Sequence, residues 1–434
     1  MPTVAIVGRP NVGKSTFFNK LAGRRISIVQ NIPGVTRDRI IAESEWCGKV
    51  FTIVDTGGIE FGSPDKIQAQ ILKQANFAVE AADVIVFLAD FKSGITPGDY
   101  AFADYLRKSR KPVVLAVNKV DNYAPDILYG YYELGLGEPF GISAEGSTGL
   151  GDLLDEVVKN FSHAEPEPDT DAVKIAVVGR PNTGKSSLVN KILNEERMIV
   201  SDIAGTTRDS IDTPITLNGQ KYIIIDTAGI RRKRGVESGS VEAISALMAM
   251  KSIDRADAVV VLLDATEPIS EQDVRIAGYV DESGKPSVIA VNKWDAVEKD
   301  TYTSDGYVKV LKEELKFMDY HLPVFISAKS GMRIGKALEL ARLAYDNSNR
   351  RISTGVLNEI ITEAVSRVEP PTSAGRRLKI FYVTQASTAP PTFILFVNDE
   401  KLLHFSYKRY LENALRAAAD FSGTPIRLIV REKE

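Results

Sequence analysis

Residues 3–16 read TVAIVGRPNVGKST, and residues 174–187 read KIAVVGRPNTGKSS. Each stretch is a short apolar run that ends at a glycine and continues into G-x-x-x-x-G-K-S. A buried strand, a glycine-rich loop and a helix in this order are typical of phosphate-binding loops, in which backbone N–H groups surround the phosphates. The pattern recurs at an offset of 171 residues, from Gly8 to Gly179. The chain therefore contains a duplicated nucleotide-binding domain.

The phosphate-loop residues have distinct expected roles. The lysine would neutralise charge on the β and γ phosphates, and the serine hydroxyl would bind Mg²⁺. The first loop comprises Gly8, Arg9, Pro10, Asn11, Val12, Gly13, Lys14 and Ser15, and the second comprises Gly179, Arg180, Pro181, Asn182, Thr183, Gly184, Lys185 and Ser186.

Two further elements are expected around the triphosphate. A D-x-x-G motif begins 41 residues after each loop lysine, at positions 55 and 226. Its aspartate would reach Mg²⁺ through water and its glycine N–H would contact the γ-phosphate, which predicts a switch controlled by hydrolysis. Thr36 and Thr207, in IPGVTRD and IAGTTRD, are expected Mg²⁺ ligands on a mobile first switch. The D-x-x-G segments comprise Asp55, Thr56, Gly57, Gly58 and Ile59, and Asp226, Thr227, Ala228, Gly229 and Ile230.

Base recognition is predicted by an N-K-x-D motif after a later strand of each repeat. The aspartate can accept hydrogen bonds from N1–H and the exocyclic amine of guanine, which adenine does not offer, so the motif selects GTP over ATP. A following Ser-Ala dipeptide fits the element whose backbone N–H contacts guanine O6. These residues are Asn118, Lys119, Val120, Asp121, Ser143 and Ala144, and Asn292, Lys293, Trp294, Asp295, Ser327 and Ala328.

One familiar catalytic residue is missing. Ras-like switches place a glutamine after D-x-x-G to orient the attacking water, and this chain has Ile59 and Ile230 there. No arginine finger can be assigned. Asn11 and Asn182 could bind a monovalent cation in the position of such a finger, or could only stabilise the loop. The expected catalytic set is Lys14, Thr36, Lys185 and Thr207 with Asn11 and Asn182.

The alternation of apolar runs with helical patterns predicts an α/β fold. It comprises two tandem P-loop GTPase domains, each with a mostly parallel sheet and helices on both faces. Residues 162–171 are acidic and proline-containing, which is typical of an interdomain linker. Beyond them the order α-β-β-α-β predicts a small α+β domain at the C-terminus. The predicted domains are therefore residues 1–161, 172–347 and 348–434.

Composition places few further limits on function. The net charge is −3, and residues 351–434 carry 12 Lys+Arg against 9 Asp+Glu, a net of +3. A basic tail favours an anionic partner, although chance scatter of surface charge gives similar counts. The run Arg231-Arg232-Lys233-Arg234 is either a solvated basic loop or a nucleotide-controlled contact to phosphate, for example on RNA.

Targeting signals are also missing from the sequence. Cys47 is the only cysteine, which excludes an intramolecular disulfide and fits a reducing compartment. The first residues lack a basic segment, so they predict a strand rather than a signal peptide. No run approaches the roughly 18 apolar residues of a membrane helix. We expect a cytoplasmic protein without a membrane partner.

Taken together, the motifs resemble those of the Der (EngA) family of bacterial GTPases along essentially the whole chain. The resemblance rests on both GRPNxGKS loops, DTGGIE, DTAGIR, NKVD, NKWD, and the tail stretches PPTSAGRRLKIFYVTQ and FSYKRYLENALR. It implies two G domains followed by a KH-like domain, two GTP/GDP sites with Mg²⁺, and K⁺-stimulated hydrolysis with Asn11 and Asn182 as K⁺ ligands. It also implies a role in assembly of the large ribosomal subunit, through precursor rRNA and ribosomal proteins, and we expect a monomer.

The tail departs from the general KH pattern. KH modules clamp RNA with a G-x-x-G loop, but the tail glycines Gly355, Gly375 and Gly423 are never three residues apart. Either the domain contacts RNA through other groups or it is a docking surface for the first G domain. The candidate RNA-binding cations are Arg376, Arg377, Lys379, Lys408 and Arg409.

Two other functions share parts of this pattern. One is an assembly scaffold that binds GTP and hydrolyses it only incidentally, and the intact lysine, threonine and aspartate of both copies disfavour it. The other is a tRNA-modifying GTPase. Such enzymes have one G domain and a C-terminal catalytic cysteine, whereas Cys47 lies in the first repeat.

Overall fold

The computed structural model describes residues 1–22, 41–56, 78–120, 125–161, 171–194, 198–200, 212–225, 239–298, 300, 302–373 and 376–433. The chain divides into two compact units. The first consists of Met1–Pro168 and Gly235–Lys251, and the second of Asp169–Arg234 and Ser252–Glu434.

The first repeat forms a six-stranded sheet. Its elements are β1 Thr3–Val7, α1 Lys14–Ala22, β2 Ile41–Trp46, β3 Lys49–Asp55, β4 Val84–Asp90, α2 Pro97–Lys108, β5 Val113–Asn118, a 3₁₀ segment Pro125–Leu134, β6 Pro139–Gly141 and α3 Leu150–Lys159. The strand order is β2-β3-β1-β4-β5-β6, and only the β2–β3 pair is antiparallel. All residues of β1 and β4 are buried, because parallel strands have both faces covered.

The second repeat forms a seven-stranded sheet of the same design. Its elements are β7 Val173–Val178, α4 Lys185–Asn194, β8 Met198–Val200, β9 Thr213–Leu217, β10 Gln220–Ile224, α5 Gly239–Arg255, β11 Ala258–Asp264, α6 Glu271–Glu282, β12 Ser287–Asn292, 3₁₀ segments Trp294–Ala296 and Lys316–Met318, α7 Thr303–Glu314, β13 Leu322–Phe325 and α8 Ile334–Ser348. The order is β13-β12-β11-β7-β10-β9-β8, with β8 and β9 antiparallel to their neighbours.

The C-terminal part is a small α+β domain. Its elements are α9 Thr354–Arg367, β14 Thr372–Ser373, β15 Arg376–Arg377, β16 Ile380–Ser387, β17 Thr392–Val397, a 3₁₀ segment Glu400–Leu402, α10 Phe405–Ala418 and β18 Arg427–Glu432. The main sheet has the order β16-β17-β18, antiparallel then parallel. Helices α9 and α10 supply Leu357, Ile361 and Leu411 to a core shared with Phe393 and Leu395 of the sheet.

Backbone hydrogen bonds join this domain to the second repeat. Ser287 N donates to Gly423 O at 2.7 Å, and Gly423 N donates to Tyr320 O at 2.8 Å. Thr424 Oγ1 donates to Ala344 O at 2.7 Å. Gly423 has φ +75°, and a Cβ there would lie 2.6 Å from Ala344 Cβ, so the approach requires glycine.

The predicted α/β fold is confirmed, and the main tail elements α9, β16, β17, α10 and β18 follow the predicted α-β-β-α-β order. The short β14–β15 pair and the antiparallel strands β2, β8 and β9 were missed. Strand β2 reads IAESEW, in which polar residues interrupt any apolar run. It turns into β3 through Cys47-Gly48, with φ of +49° and +74°, and β9 turns into β10 through Asn218-Gly219, with +51° and +78°. Asn-Gly is a strong hairpin signal and could have revealed β9. The domain boundaries stay predictions, and the linker, apart from Asp171, lies outside the described residues.

Within the described ranges, no helix combines the length and the apolarity that crossing a membrane requires.

Candidate nucleotide-binding sites

The first phosphate loop connects β1 to α1 and surrounds a buried lysine. Lys14 is 7% exposed, and its Nζ donates to Gly8 O at 3.0 Å and to Arg9 O at 2.6 Å. Burial lowers the pKa of Lys14 to about 8, against the opposing influence of the Asp55 carboxylate and with a smaller lowering from Arg9. Lys185 repeats the arrangement, donating to Gly179 O and Arg180 O at 2.7 and 2.6 Å. Each loop thus holds its lysine ammonium group on main-chain carbonyl oxygens. When nucleotide binds, phosphate oxygens would replace those carbonyls as its hydrogen-bond acceptors.

The loop glycines leave no room for a side chain. Gly13 has φ +95°, and a Cβ there would lie 2.3 Å from Asn118 Nδ2. Gly184 has φ +97°, and the matching distance to Asn292 Nδ2 is also 2.3 Å. The loop backbone can therefore turn its N–H groups inward and still close against the asparagine of N-K-x-D.

A hydroxyl and a carboxylate meet beside the first loop. Ser15 Oγ donates to Asp55 Oδ2 at 2.8 Å, and Asp55 is 2% exposed at the end of β3. This donor set fits Mg²⁺, which prefers hard oxygen ligands. In the second copy Ser186 lies at the start of α4. The other predicted residues of this region lie outside the described residues: Thr36, Gly57, Gly58, Ile59, Thr207, Asp226, Thr227, Ala228, Gly229, Ile230 and the basic run 231–234.

In the first repeat, the asparagine of N-K-x-D forms hydrogen bonds with both the phosphate loop and the Ser-Ala dipeptide. Asn118 Nδ2 donates to Val12 O at 2.9 Å, and its Oδ1 accepts from Ala144 N at 2.9 Å. Ser143 is 8% exposed, and its Oγ accepts from Gly146 N at 3.1 Å. The Ser-Ala dipeptide is therefore held against the phosphate loop through one buried amide side chain.

The second repeat has the same frame. Asn292 Nδ2 donates to Thr183 O at 2.8 Å and Asn292 Oδ1 accepts from Ala328 N at 2.8 Å. In both copies the alanine N–H of the Ser-Ala dipeptide, the element predicted to contact guanine O6 through a backbone N–H, donates to the asparagine. Asp295 is exposed beside the buried Trp294, and Asp121 lies outside the described residues.

A pair of aspartates that the sequence reading missed positions the lysines of N-K-x-D. Lys119 Nζ lies 2.6 Å from Asp90 Oδ2 and donates to Asn11 O at 2.9 Å, and Lys293 Nζ lies 2.5 Å from Asp264 Oδ2. The pKa of Asp90 is lowered, because hydrogen bonds from Lys119 and from backbone N–H groups outweigh the effect of burial. The signal was present, since VFLAD and VVLLD end in aspartate at the same 174-residue offset as N-K-x-D.

The loop arginines were assigned to the phosphate loop, and the structure shows what holds them. Arg9 Nε donates to Asp99 Oδ1 at 2.8 Å, and Arg180 Nε lies 3.2 Å from Asp273 Oδ2. Both aspartates lie in the first turn of a helix, α2 or α6, where each also accepts from the hydroxyl that precedes the helix, Thr96 or Ser270. The T-x-x-D and S-x-x-D patterns resemble the capping box and were available in the sequence.

Asn11 and Asn182 have left-handed backbones, with φ of +65° and +64°. Asparagine tolerates this conformation better than most residues, which gives a backbone reason for its presence. Both asparagines are also exposed.

Comparison with known proteins agrees with this geometry. A family model described as "50S ribosome-binding GTPase" matches residues 3–119 and 174–293, and one described as "KH-domain-like of EngA bacterial GTPase enzymes, C-terminal" matches residues 351–431. The chain is 54% identical to GTPase Der of Agathobacter rectalis over 437 residues, and 55% identical to that of Clostridium tetani over 435 residues. Both alignments cover 100% of this chain and 99% of the relative.

A solved structure of Era in complex with MgGDPNP and nucleotides of 16S ribosomal RNA is 20% identical, with a TM-score of 0.30, over 60% of this chain and 93% of that chain. The full-length identity to the Der relatives, the two matched GTPase segments and the KH-like tail agree with the duplicated loops described above. The chain therefore belongs to the Der (EngA) family and is a GTPase.

Proposed function

We propose that this GTPase hydrolyses GTP to GDP and phosphate in both repeats and acts as a nucleotide-dependent switch in assembly of the large ribosomal subunit. The observation that carries the two-site proposal is the repeated frame in which Asn118 or Asn292 joins the phosphate loop to the Ser-Ala dipeptide. The ribosomal part is supported by the match to a family model described as a 50S ribosome-binding GTPase.

The described contacts support a role for each group at the first site. Lys14 would bind and neutralise phosphate oxygens, and Ser15, with Asp55 acting through water, would hold Mg²⁺. Thr36, outside the described residues, would complete the set of Mg²⁺ ligands. When bound, Mg²⁺ supplies Lewis acidity at the phosphate oxygens. At the second site these roles would belong to Lys185, Ser186, Asp226 and Thr207. The guanine base would be read by Asp121 at the first site and by Asp295 at the second.

We propose that Asn11 and Asn182 bind K⁺ in the position of an arginine finger. Replacement by glycine tests this against the backbone explanation, because glycine retains the left-handed φ and removes only the side chain. Asn11→Gly and Asn182→Gly should each abolish the K⁺ stimulation of one site. Unchanged K⁺ stimulation in both variants would show that Asn11 and Asn182 serve only to adopt the left-handed backbone conformation.

The remaining features of the proposal concern the whole protein. The partner is the large subunit or its precursor, with rRNA and ribosomal proteins, and the protein works as a cytoplasmic monomer. The three domains comprise residues 1–161, 172–347 and 348–434, and residues 162–171 form the linker between the two G domains.

The decisive experiment measures GTP hydrolysis in matched KCl and NaCl, and co-sedimentation with large subunits in GDP and in a non-hydrolysable GTP analogue. We expect faster hydrolysis in KCl and pelleting that depends on the analogue. The Lys14→Ala/Lys185→Ala double variant is the control and should do neither. Equal pelleting in both nucleotide states would contradict the switch, and equal rates in both salts would contradict the K⁺ sites.

A further inference from the structure

The outer face of the C-terminal sheet is aromatic and is exposed around Tyr382. Toward the start of β18, Arg427 donates to Glu282 O of the second repeat at 2.9 Å. The core formed with α9 and α10 lies on the other face of β16–β18. On the outer face Tyr382 pairs with Phe396 across β16 and β17, with ring centroids 4.3 Å apart and planes 19° from parallel. Tyr382 is 37% exposed, and the neighbouring Phe381 is 39% exposed. Clustered exposed rings on a sheet are typical of a binding surface.

Cations border these rings. Strand β18 alternates so that Ile429 and Arg431 share the outer face, where Phe396 pairs with Arg431. Lys433 Nζ lies 5.2 Å from the centroid of the Phe381 ring and 5.7 Å from that of Tyr382. Lys433 therefore lies next to two aromatic planes rather than isolated in solvent, and Arg431 is the register partner of Phe396.

The described residues on the outward positions of this sheet carry no negative charge. The outward positions of β16, β17 and β18, all of which the structure describes, include no aspartate or glutamate. Among the described residues, no carboxylate forms an ion pair with Arg431 or Lys433. By contrast, Arg376 and Arg377 lie near Asp399 and Glu369. The outer face thus combines unneutralised positive charge with stacked rings.

We propose that this outer face binds single-stranded RNA, with bases stacking on Tyr382 and Phe396 and phosphates at Arg431 and Lys433. Aromatic platforms with flanking cations hold single strands because every base has a stacking face, which a duplex conceals. The site uses a sheet face instead of the missing G-x-x-G clamp. It deepens the proposed ribosomal function and rests on it, since precursor rRNA is the expected partner.

A polyanion with planar bases suits this surface better than a protein does. A protein partner would have to supply carboxylates for the cations and an apolar patch for the rings at the same time. A single strand of RNA supplies phosphates for the cations and base faces for the rings along one chain. Docking of another part of a protein on this face is the alternative that the experiment must detect.

The test uses the full chain and fluorescence anisotropy with labelled oligouridine and oligoadenine of about 12 nucleotides, a length within the usual range for such platforms. A duplex of equal length is the comparison, and each probe is measured in GDP and in the GTP analogue. We expect single strands to bind at least tenfold more tightly than the duplex. Tyr382→Ala should weaken that binding about tenfold or more, and Tyr382→Phe should restore it.

Charge variants give a second readout. Arg431→Gln combined with Lys433→Gln should reduce the slope of log affinity against log salt concentration by about 1.4, as expected for two phosphate contacts to a single strand. The comparison variant, Arg376→Gln with Arg377→Gln, removes two of the cations that the sequence offered as RNA contacts. They lie near carboxylates on the separate two-stranded sheet β14–β15, so the slope should be unchanged, and an equal fall in slope would contradict the proposal. GTP hydrolysis checks that each variant is folded.

Several outcomes would overturn the proposal. They are no single-strand binding in either nucleotide state, equal binding by Tyr382→Ala and the unmodified protein, or an altered GTPase rate in Tyr382→Ala without a change in RNA affinity. The last result would indicate a protein-docking face. Nucleotide-dependent pelleting with large subunits that survives these failures would leave the proposed function intact. Oligonucleotide binding without nucleotide-dependent pelleting would contradict the proposed ribosomal function and leave the RNA-binding face supported.

Discussion

Single residues in the two phosphate loops agree in backbone conformation as closely as in identity. Asn11 and Asn182 differ by 1° in φ, at +65° and +64°, and Gly13 and Gly184 differ by 2°, at +95° and +97°. Such φ values are costly for most residues and persist only where the surroundings require them. The agreement indicates that both loops satisfy the same requirement, which is to aim backbone N–H groups at an anion.

The buried lysine of the first loop predicts a pH-dependent affinity. Since the pKa of Lys14 is about 8, its ammonium is largely intact at pH 7 and is lost above pH 8. A bound phosphate favours the charged form, so GTP affinity at this site should be constant below pH 8 and fall roughly tenfold per pH unit above it. Titration with a fluorescent GTP analogue between pH 7 and 9, in a Lys185→Ala background, measures this. Constant affinity through pH 9 would contradict it.

Base recognition at the second site can be altered by one atom. Asp295→Asn removes the carboxylate that accepts two hydrogen bonds from guanine and supplies an amide suited to xanthine. In a Lys14→Ala background, GTP affinity should fall at least a hundredfold and the affinity for xanthosine triphosphate should rise. Competition between the two nucleotides measures the change. Retained preference for GTP would refute the assigned role of Asp295.

At the scale of elements, the strands gave clear sequence signals where both of their faces are buried. β1 and β7 lie in the apolar runs that precede the two phosphate loops; β1 is fully buried, and β7 is buried apart from Lys174. The antiparallel strands β2 and β9 contain polar residues between their apolar ones, and each joins its partner through a turn with positive φ.

The candidate site divides in the same way. Lys14, Ser15 and Asp55 could be found because their motifs have fixed spacing along the chain. Asp90 and Asp99 act on residues 29 and 90 positions away. The local T-x-x-D pattern marks Asp99 only as part of a helix start, and no local pattern reveals that it binds Arg9. Only comparison of the two repeats exposes such residues, because a long-range partner must be retained in both copies.

The strand-end aspartates should matter for nucleotide affinity without contacting nucleotide. Asp90→Asn weakens the charge-assisted bond that holds Lys119 against the loop, and such a bond contributes about 1.5–3 kcal/mol. We expect GTP affinity at the first site to fall about tenfold or more, with the protein still folded. Asp83→Asn, also at a strand edge but bonded to Thr3 N, is the control and should bind GTP normally. Equal affinities for both variants would exclude a positioning role.

At the scale of the molecule, the duplication predicts two sites that can be silenced separately. Lys14→Ala and Lys185→Ala each remove the ammonium of one loop, so each variant should bind about half as much GTP as the unmodified chain. Equilibrium dialysis with labelled GTP measures the ratio directly, with the double variant as the blank. Loss of all binding in either single variant would show that the two sites do not act independently.

The glycine at position 423 determines whether the C-terminal domain can be separated from the second repeat. Its N–H and carbonyl complete hydrogen bonds of the second repeat, and nothing larger fits against Ala344. Removing the tail would strip partners from that repeat, and expressing the tail alone would leave its own backbone groups unsatisfied. The two should therefore melt in a single calorimetric transition, and recombination could exchange this tail between proteins only together with the G domain that precedes it.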